Sequence, residues 1–211
     1  MLIMLTLLLL QVPLIGFCGA PWTLMAYMIE GGGSKTFARA KTWLYADPRS
    51  SHRLLSLIAD VSAGYLVCQV KAGAQMLQLF ESWAGELSPD LFNQFSLPYL
   101  RRIVRTVRLS LDDLGIPRVP VVVFAKGAHY AVEALGNAED ADERFDVVSL
   151  DATMDLEEAR KSVHGRATIQ GNLDPVALFA PKGTIEELVQ KMLQKYAISL
   201  SLCVMMLTCV F

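Results

Sequence analysis

The sequence predicts an α/β protein in which parallel strands form one sheet with helices outside, and three observations predict it. Apolar runs of about five residues, too continuous to alternate, recur along the chain and read as strands buried on both faces. Between them lie amphipathic segments opened by Asp47-Pro48 or Ser88-Pro89 and closed by glycine, as helices are. Strand and helix alternate about five times, and right-handed crossovers then leave two architectures, a β/α barrel or an open doubly wound sheet.

Each element has its own signal. Val12 to Phe17 is a strand ended by Gly19, Ala20 and Pro21, and Trp22 to Ile29 is a short helix closed by the glycines 31 to 33. Ser34 is expected to cap a helix running to Tyr45. Asp47 and Pro48 start a third, with Leu54, Leu55, Ile58, Val61, Tyr65 and Cys68 expected on its buried face. Gly73 ends it, and Gln75 to Phe80 is the next strand. Ser88 and Pro89 start a helix, interrupted near Pro98, that reaches Gly115. Val119 to Phe124 is a β-branched strand, followed by a helix around Tyr130 to Leu135 and a polar turn at Ala138 to Glu143. Strand Asp146 to Leu150, helix Asp155 to Val163 and strand Ala167 to Gln170 follow. Thr184 and Glu187 form an expected capping box for a helix ending near Tyr196.

The 211 residues suffice for one domain with a substantial core. With 19 Lys plus Arg against 21 Asp plus Glu, the chain has no overall basic charge to collect nucleic acid, which is an unexpected partner. Cys18, Cys68, Cys203 and Cys209 form no C-x-x-C pair, and His52, His129 and His164 are scattered, so neither a disulfide framework nor a zinc site is expected. Cys68, flanked by apolar residues, is expected to be buried. The apolar start, Met1 to Phe17, is short, broken by Gln11 and Pro13, and lacks a preceding basic residue, which argues against a signal or a membrane span.

In either architecture ligands gather at the C-terminal ends of the strands. Those ends carry Phe17 and Gly19; Phe80, Glu81 and Ser82; Phe124, Ala125 and Lys126; Leu150 and Asp151; Gln170, Gly171 and Asn172. Five successive apolar-to-polar junctions point to a ligand-binding rim. The glycines before Ser34 and Lys35 do not make a phosphate loop, because they follow a helix and Ser34 separates glycine from lysine.

These rim segments carry a resemblance. VPLIGFCGAPWTLMAYMIEGGGS, GAQMLQLFESWAGELSP, FSLPYL, VVSLD and IQGNLDP, in that order over Val12 to Tyr196, closely resemble the uroporphyrinogen decarboxylase family. The resemblance implies a (β/α)8 barrel, usually homodimeric, and a cofactor-free decarboxylase (lyase) of porphyrin, heme and chlorophyll biosynthesis. Its substrate is uroporphyrinogen III, whose four acetates become methyl groups to give coproporphyrinogen III and four carbon dioxide molecules. Protonating a pyrrole carbon supplies the electron sink, so the protein has to hold an anionic macrocycle and stabilise a cationic ring.

By motif, Tyr27 matches the tyrosine that reaches the reacting acetate, Ser82 the serine that contacts substrate, and Phe80 would form an apolar wall. Lys126 and Arg39 are candidate propionate partners with ordinary surface solvation as the simpler role. Departures accompany the match. The family's pyrrole-binding aspartate and N-terminal arginines have no counterpart in this sequence, nor does its N-L-G-H-G histidine, and alanine replaces tryptophan at Ala152. The expectation is a truncated barrel of about five of eight units over residues 12–196, between atypical apolar segments at 1–11 and 197–211, impaired or inactive alone. A noncatalytic fragment associating with a partner, or a relative of the cobalamin-dependent methyltransferases, are the rival functions. Cytoplasm or plastid is the expected location, with no membrane.

Overall fold

A computed structural model describes residues 12–197. The expectations for the apolar segments 1–11 and 198–211, Cys203 and Cys209 included, lie outside the described residues.

Five strands form one sheet: β1 (Ile15–Gly19), β2 (Met76–Glu81), β3 (Val121–Ala125), β4 (Val147–Ser149) and β5 (Thr168–Gln170). Every neighbouring pair is parallel and the spatial order is the sequence order. A doubly wound sheet reverses its strand order at a switch point so that helices cover both faces. Here the order never reverses, and successive right-handed crossovers put the helices on one side. The sheet is therefore an arc of a barrel.

The helices are α1 (Pro21–Glu30), α2 (Ala38–Ala46), α3 (Pro48–Lys71), α4 (Pro89–Phe95), α5 (Leu97–Asp113), α6 (Val132–Gly136), α7 (Leu156–Ser162) and α8 (Lys182–Ala197). Alternation along the strands sends Cys18, Leu77, Leu79, Val121, Val123, Val148 and Ile169 into the core beneath them. Trp22, Leu55, Leu66, Phe92, Leu100, Ile103 and Val107 meet them from the helices. The opposite pleat, with Phe17, Gln78, Phe80, Val122, Phe124, Ser149 and Gln170, is the inner surface of the arc.

Several local signals act as expected. The Asp47 side chain accepts the Ser50 N–H at 3.0 Å at the start of α3, and Ser88 accepts from Leu91 at 3.3 Å before α4. Asp155 caps α7 by accepting from Glu157 and Glu158. The interruption near Pro98 is real: α4 stops at Phe95 and α5 restarts at Leu97 with proline in its first turn.

Others need correction. The first strand runs from Ile15 to Gly19, two to three residues later than Val12 to Phe17. Ser34 does not cap α2 directly; it accepts from the Phe37 N–H, and Phe37 in the left-handed region precedes Ala38. In place of a serine cap, the Glu30 carboxylate receives the N–H groups of Arg39 and Ala40 at 2.9 and 3.1 Å. Thr184 lies inside α8, which starts at Lys182, so the Thr184–Glu187 box does not open that helix.

The buried face of α3 differs most from expectation. Val61 and Tyr65 are exposed, Cys68 is exposed, and the core side is Ser51, Leu55, Ile58, Ala59, Ser62, Ala63, Leu66, Val67 and Val70. Helix α3 packs closely on α5, α1 and β1, and its small side chains face those contacts. It is the one helix among the described residues long and apolar enough, by length and composition, to cross a membrane; in this fold its small-residue side lies in the core.

Candidate functional site

The C-terminal ends of the strands share one end of the sheet, and their inner faces carry an aromatic ladder. Phe17 of β1 meets Phe80 of β2 edge-on at 5.9 Å and 88°, and Phe80 meets Phe124 of β3 at 6.0 Å and 74°. Edge-to-face packing sets the positive ring edge against the negative face, which fixes the rings relative to one another. Phe17 is 63% exposed whereas Phe124 is 5%, so the ladder ends in an open apolar surface. Phe80, expected from its motif as an apolar wall, stands in the middle of it.

Immediately beyond Phe80 the pleat turns Glu81 to the helix side, where it is fully buried. Its Oε1 accepts from the Thr23 N–H at 2.8 Å and the Thr23 hydroxyl at 2.5 Å, and its Oε2 accepts from the Ser96 hydroxyl at 2.8 Å. One carboxyl thus joins the end of β2 to the first turn of α1 and to the junction of α4 and α5. Burial pushes its pKa up to about 7, against the pull of the Thr23 and Ser96 hydrogen bonds. The Trp22 indole adds a second tie by donating to the Trp83 carbonyl at 3.0 Å.

These ties place Tyr27. It stands one turn beyond Thr23 on α1, with its ring edge-on to Trp83 at 6.0 Å and to Phe37 at 6.5 Å. Trp83 follows Ser82 in the chain, so Tyr27 packs on the residue next to Ser82. Tyr27 is 38% exposed and Ser82 is part-buried. Among the described residues neither hydroxyl has a protein hydrogen-bond partner, which leaves both free for a ligand.

A second polar group closes the rim at β3 and β4. Asp151 accepts from the Gly127 N–H at 2.7 Å, the Thr153 N–H at 2.9 Å and the Thr153 hydroxyl at 2.5 Å, with His129 Nε2 at 3.3 Å. Burial raises the Asp151 pKa, but the Thr153, Gly127 and His129 hydrogen bonds outweigh it and hold the carboxyl below its ordinary range. The turn at Gly127 is pressed against Gly85, where a Cβ would stand 2.9 Å from the Gly127 Cα, so the β2 and β3 loops meet backbone to backbone. Asn172, after β5, donates to the Asp151 and Met154 carbonyls at 2.8 and 2.7 Å and ties the fifth loop to the fourth.

Lys126 follows β3 at this same end, and its backbone bonds the Glu81 carbonyl and the Gly85 N–H. Arg39 lies on α2 with its side chain exposed. Sequence reasoning named Tyr27, Phe80 and Ser82 but gave no role to the Glu81–Thr23–Ser96 clamp. Strict alternation was the available signal: Glu81 must face away from both Phe80 and Ser82.

The geometry can be set beside known proteins. The family model described as uroporphyrinogen decarboxylase matches residues 3–209. The uroporphyrinogen decarboxylases of Ovis aries and Homo sapiens are each 52% identical over 186 residues, 88% of this chain and 49% of theirs. That of Salinibacter ruber is 55% identical over 183 residues, 87% of this chain and 49% of its own. The chain therefore spans about half the length of the curated relatives it matches. With a match over nearly every residue and a parallel sheet wound in one direction, this chain belongs to the uroporphyrinogen decarboxylase family, a family of TIM-barrel decarboxylases.

Proposed function

We propose that this chain serves the conversion of uroporphyrinogen III to coproporphyrinogen III, without a cofactor, and that its described arc forms one wall of the substrate cavity. The observation that carries this reading is the pairing of an open aromatic ladder, Phe17–Phe80–Phe124, with two unengaged hydroxyls on Tyr27 and Ser82 at the same end of the sheet. A porphyrinogen presents apolar pyrrole faces and carboxylate arms. The ladder suits the first and the hydroxyls the second.

In the decarboxylation a pyrrole carbon next to the acetate-bearing one takes a proton. The acetate C–C bond then releases its electron pair into the cationic ring as carbon dioxide leaves, and protonation of the resulting methylene gives the methyl group. The chain's part is to hold one acetate so that this bond stands out of the ring plane, where overlap is best. Tyr27 donates to that acetate, Ser82 donates to a second carboxylate and Phe80 covers the ring. Tyr27, Ser82 and Phe80 are neutral and supply no counter-charge for the cationic ring, so turnover by the chain alone is expected to be weak or absent.

Titrating the purified chain with uroporphyrinogen under anaerobic conditions, following tryptophan emission to which Trp83 beside Tyr27 contributes, tests the binding reading. Saturable quenching that Tyr27→Phe and Ser82→Ala weaken supports it; unsaturable quenching in all three proteins overturns it. Coproporphyrinogen formed in the same tubes, measured after oxidation, reports turnover separately.

A further inference from the structure

The opposite end of the sheet holds a cleft of about 1000 Å3 lined by five arginines, Arg108, Arg118, Arg144, Arg160 and Arg166, with Asp146 as the carboxylate in its lining. The segments just before β3 and β4 and the start of β5 form its floor, Pro120, Asp146 and Thr168 among them, so it lies at the base of the arc, away from Tyr27 and Ser82. Nothing in the proposed reaction uses it.

Two of the arginines are already neutralised. Arg108 is held by Asp146 at 3.0 Å and by the Ala141 carbonyl, and Arg118 spans Asp112 at 2.5 Å and Asp142 at 2.8 Å. The remaining acids of the neighbouring turn, Asp140 and Glu143, face Arg105. That leaves three guanidinium groups in the cleft with no carboxylate partner among the described residues. Arg144 reaches only the Ala138 carbonyl, at 3.3 and 3.4 Å. Arg160 donates one Nη2–H to the Lys195 carbonyl at 3.0 Å, while its Nε is buried and without a partner. The guanidinium of Arg166 makes no hydrogen bond or ion pair among the described residues.

An unpaired guanidinium in water is unremarkable, but three converging on one cleft repel one another, and a buried N–H donor without an acceptor is costly. A multiply charged anion relieves both. The apolar lining residues Phe145, Val163 and Ile169 are about 1% exposed, while Val119 is part-exposed and Pro120 and Ala141 are exposed, so the cleft sets its guanidinium donors beside an apolar floor. Guanidinium forks match phosphate oxygens two at a time, and a chain of phosphates can span several of them.

We propose that this basal cleft is a binding site for an oligophosphate anion, held by Arg144, Arg160 and Arg166 and separate from the porphyrinogen wall. Calorimetric titration of the full chain with sodium tripolyphosphate tests it. The expected result is one saturable site, weakened at least tenfold by Arg166→Glu and by Arg144→Gln, weakened by added salt, and unchanged by Lys35→Glu, which alters an exposed cation outside the cleft. Circular dichroism of each variant verifies the fold. No saturable binding by the parent chain, or equal weakening by Lys35→Glu, overturns the site. Uroporphyrinogen quenching of tryptophan emission is expected to be the same with and without tripolyphosphate, so the two sites fail or stand separately.

Discussion

Tyr27 and Ser82 keep their hydroxyls free while their side chains are set in place by others, and that division has a measurable consequence. Tyr27 is positioned by ring packing on Trp83 and Phe37, none of which involves its oxygen. Tyr27→Phe and Ser82→Ala are therefore expected to leave unfolding free energy within about 0.5 kcal/mol of the parent, as for substitutions that break no internal contact. Each is expected to weaken porphyrinogen binding several-fold, by about 1 kcal/mol, the net value of one hydrogen bond. Urea unfolding beside the fluorescence titration checks both. A loss of stability larger than the loss of binding would place these hydroxyls in the fold and not in the site. Their motifs single the two residues out as proposed contacts, whereas the clamp beneath them was not legible. Glu81 looks, in sequence, like another polar rim residue, and only the contacts of Thr23 and Ser96, fifteen and more residues away, give it a role.

At the scale of elements, caps were legible where a side chain bonds a backbone N–H two or three residues on. Asp47→Ala is expected to cost about 1 kcal/mol, since Asp47 satisfies the Ser50 N–H at the first turn of α3. A shift in the midpoint of urea unfolding at constant slope is the measurement. Helix α3 also shows why a buried face can be misassigned. Large apolar residues at Val61 and Tyr65 suggest a core stripe, yet the core side combines Leu55, Ile58, Leu66, Val67 and Val70 with the small residues Ala59, Ser62 and Ala63, and Val61 and Tyr65 lie outside it. Leu66→Ala is therefore expected to cost 2 to 5 kcal/mol, in the usual range of about 2 to 5 for a buried leucine, while Val61→Lys changes stability by less than about 0.5 kcal/mol. Thermal melts of the pair decide it, and equal losses would restore the first assignment. Between β2 and β3, Gly85→Ala would press a methyl on the Gly127 backbone, and overpacking of this kind costs about 1 to 3 kcal/mol.

At the scale of the whole molecule, buried and capped carboxyls together set the pH range of stability. Glu81 has a folded pKa of about 7, above its ordinary 4.5, so the folded protein holds a proton that the unfolded chain releases. Its contribution is complete below about pH 4.5 and is lost as pH rises through 7, by roughly 3 kcal/mol in all. Asp151 and Asp155 act in the opposite sense. Their pKa values are lowered, so the stability they confer is present above their unfolded values and lost as pH falls through the lowered ones. The chain is expected to be most stable on the mildly acidic side of neutrality. Glu81→Gln, which keeps the shape and the hydrogen bonds of the neutral carboxyl, should remove the decline between about pH 4.5 and 7 and leave the acid limb unchanged. Urea midpoints across that range test the point; a parent and variant with parallel profiles would show that Glu81 does not titrate there.

The sequence by itself determined the alternation of strands and helices, the parallel sheet, most helix starts and the family. Each rests on local chemistry, such as β-branched runs, proline in a first turn, or contiguous motifs, that a chain carries with it. Tertiary structure alone decided the rest. It set the strand order that the alternation of elements left open and that the family resemblance implied, a one-directional arc of a barrel, because strand order is a property of the assembled sheet. It turned Glu81 into a clamp and gathered Arg144, Arg160 and Arg166 at the base of the sheet, because groups distant in sequence acquire their charge environment and their hydrogen-bond partners only when the fold brings them together.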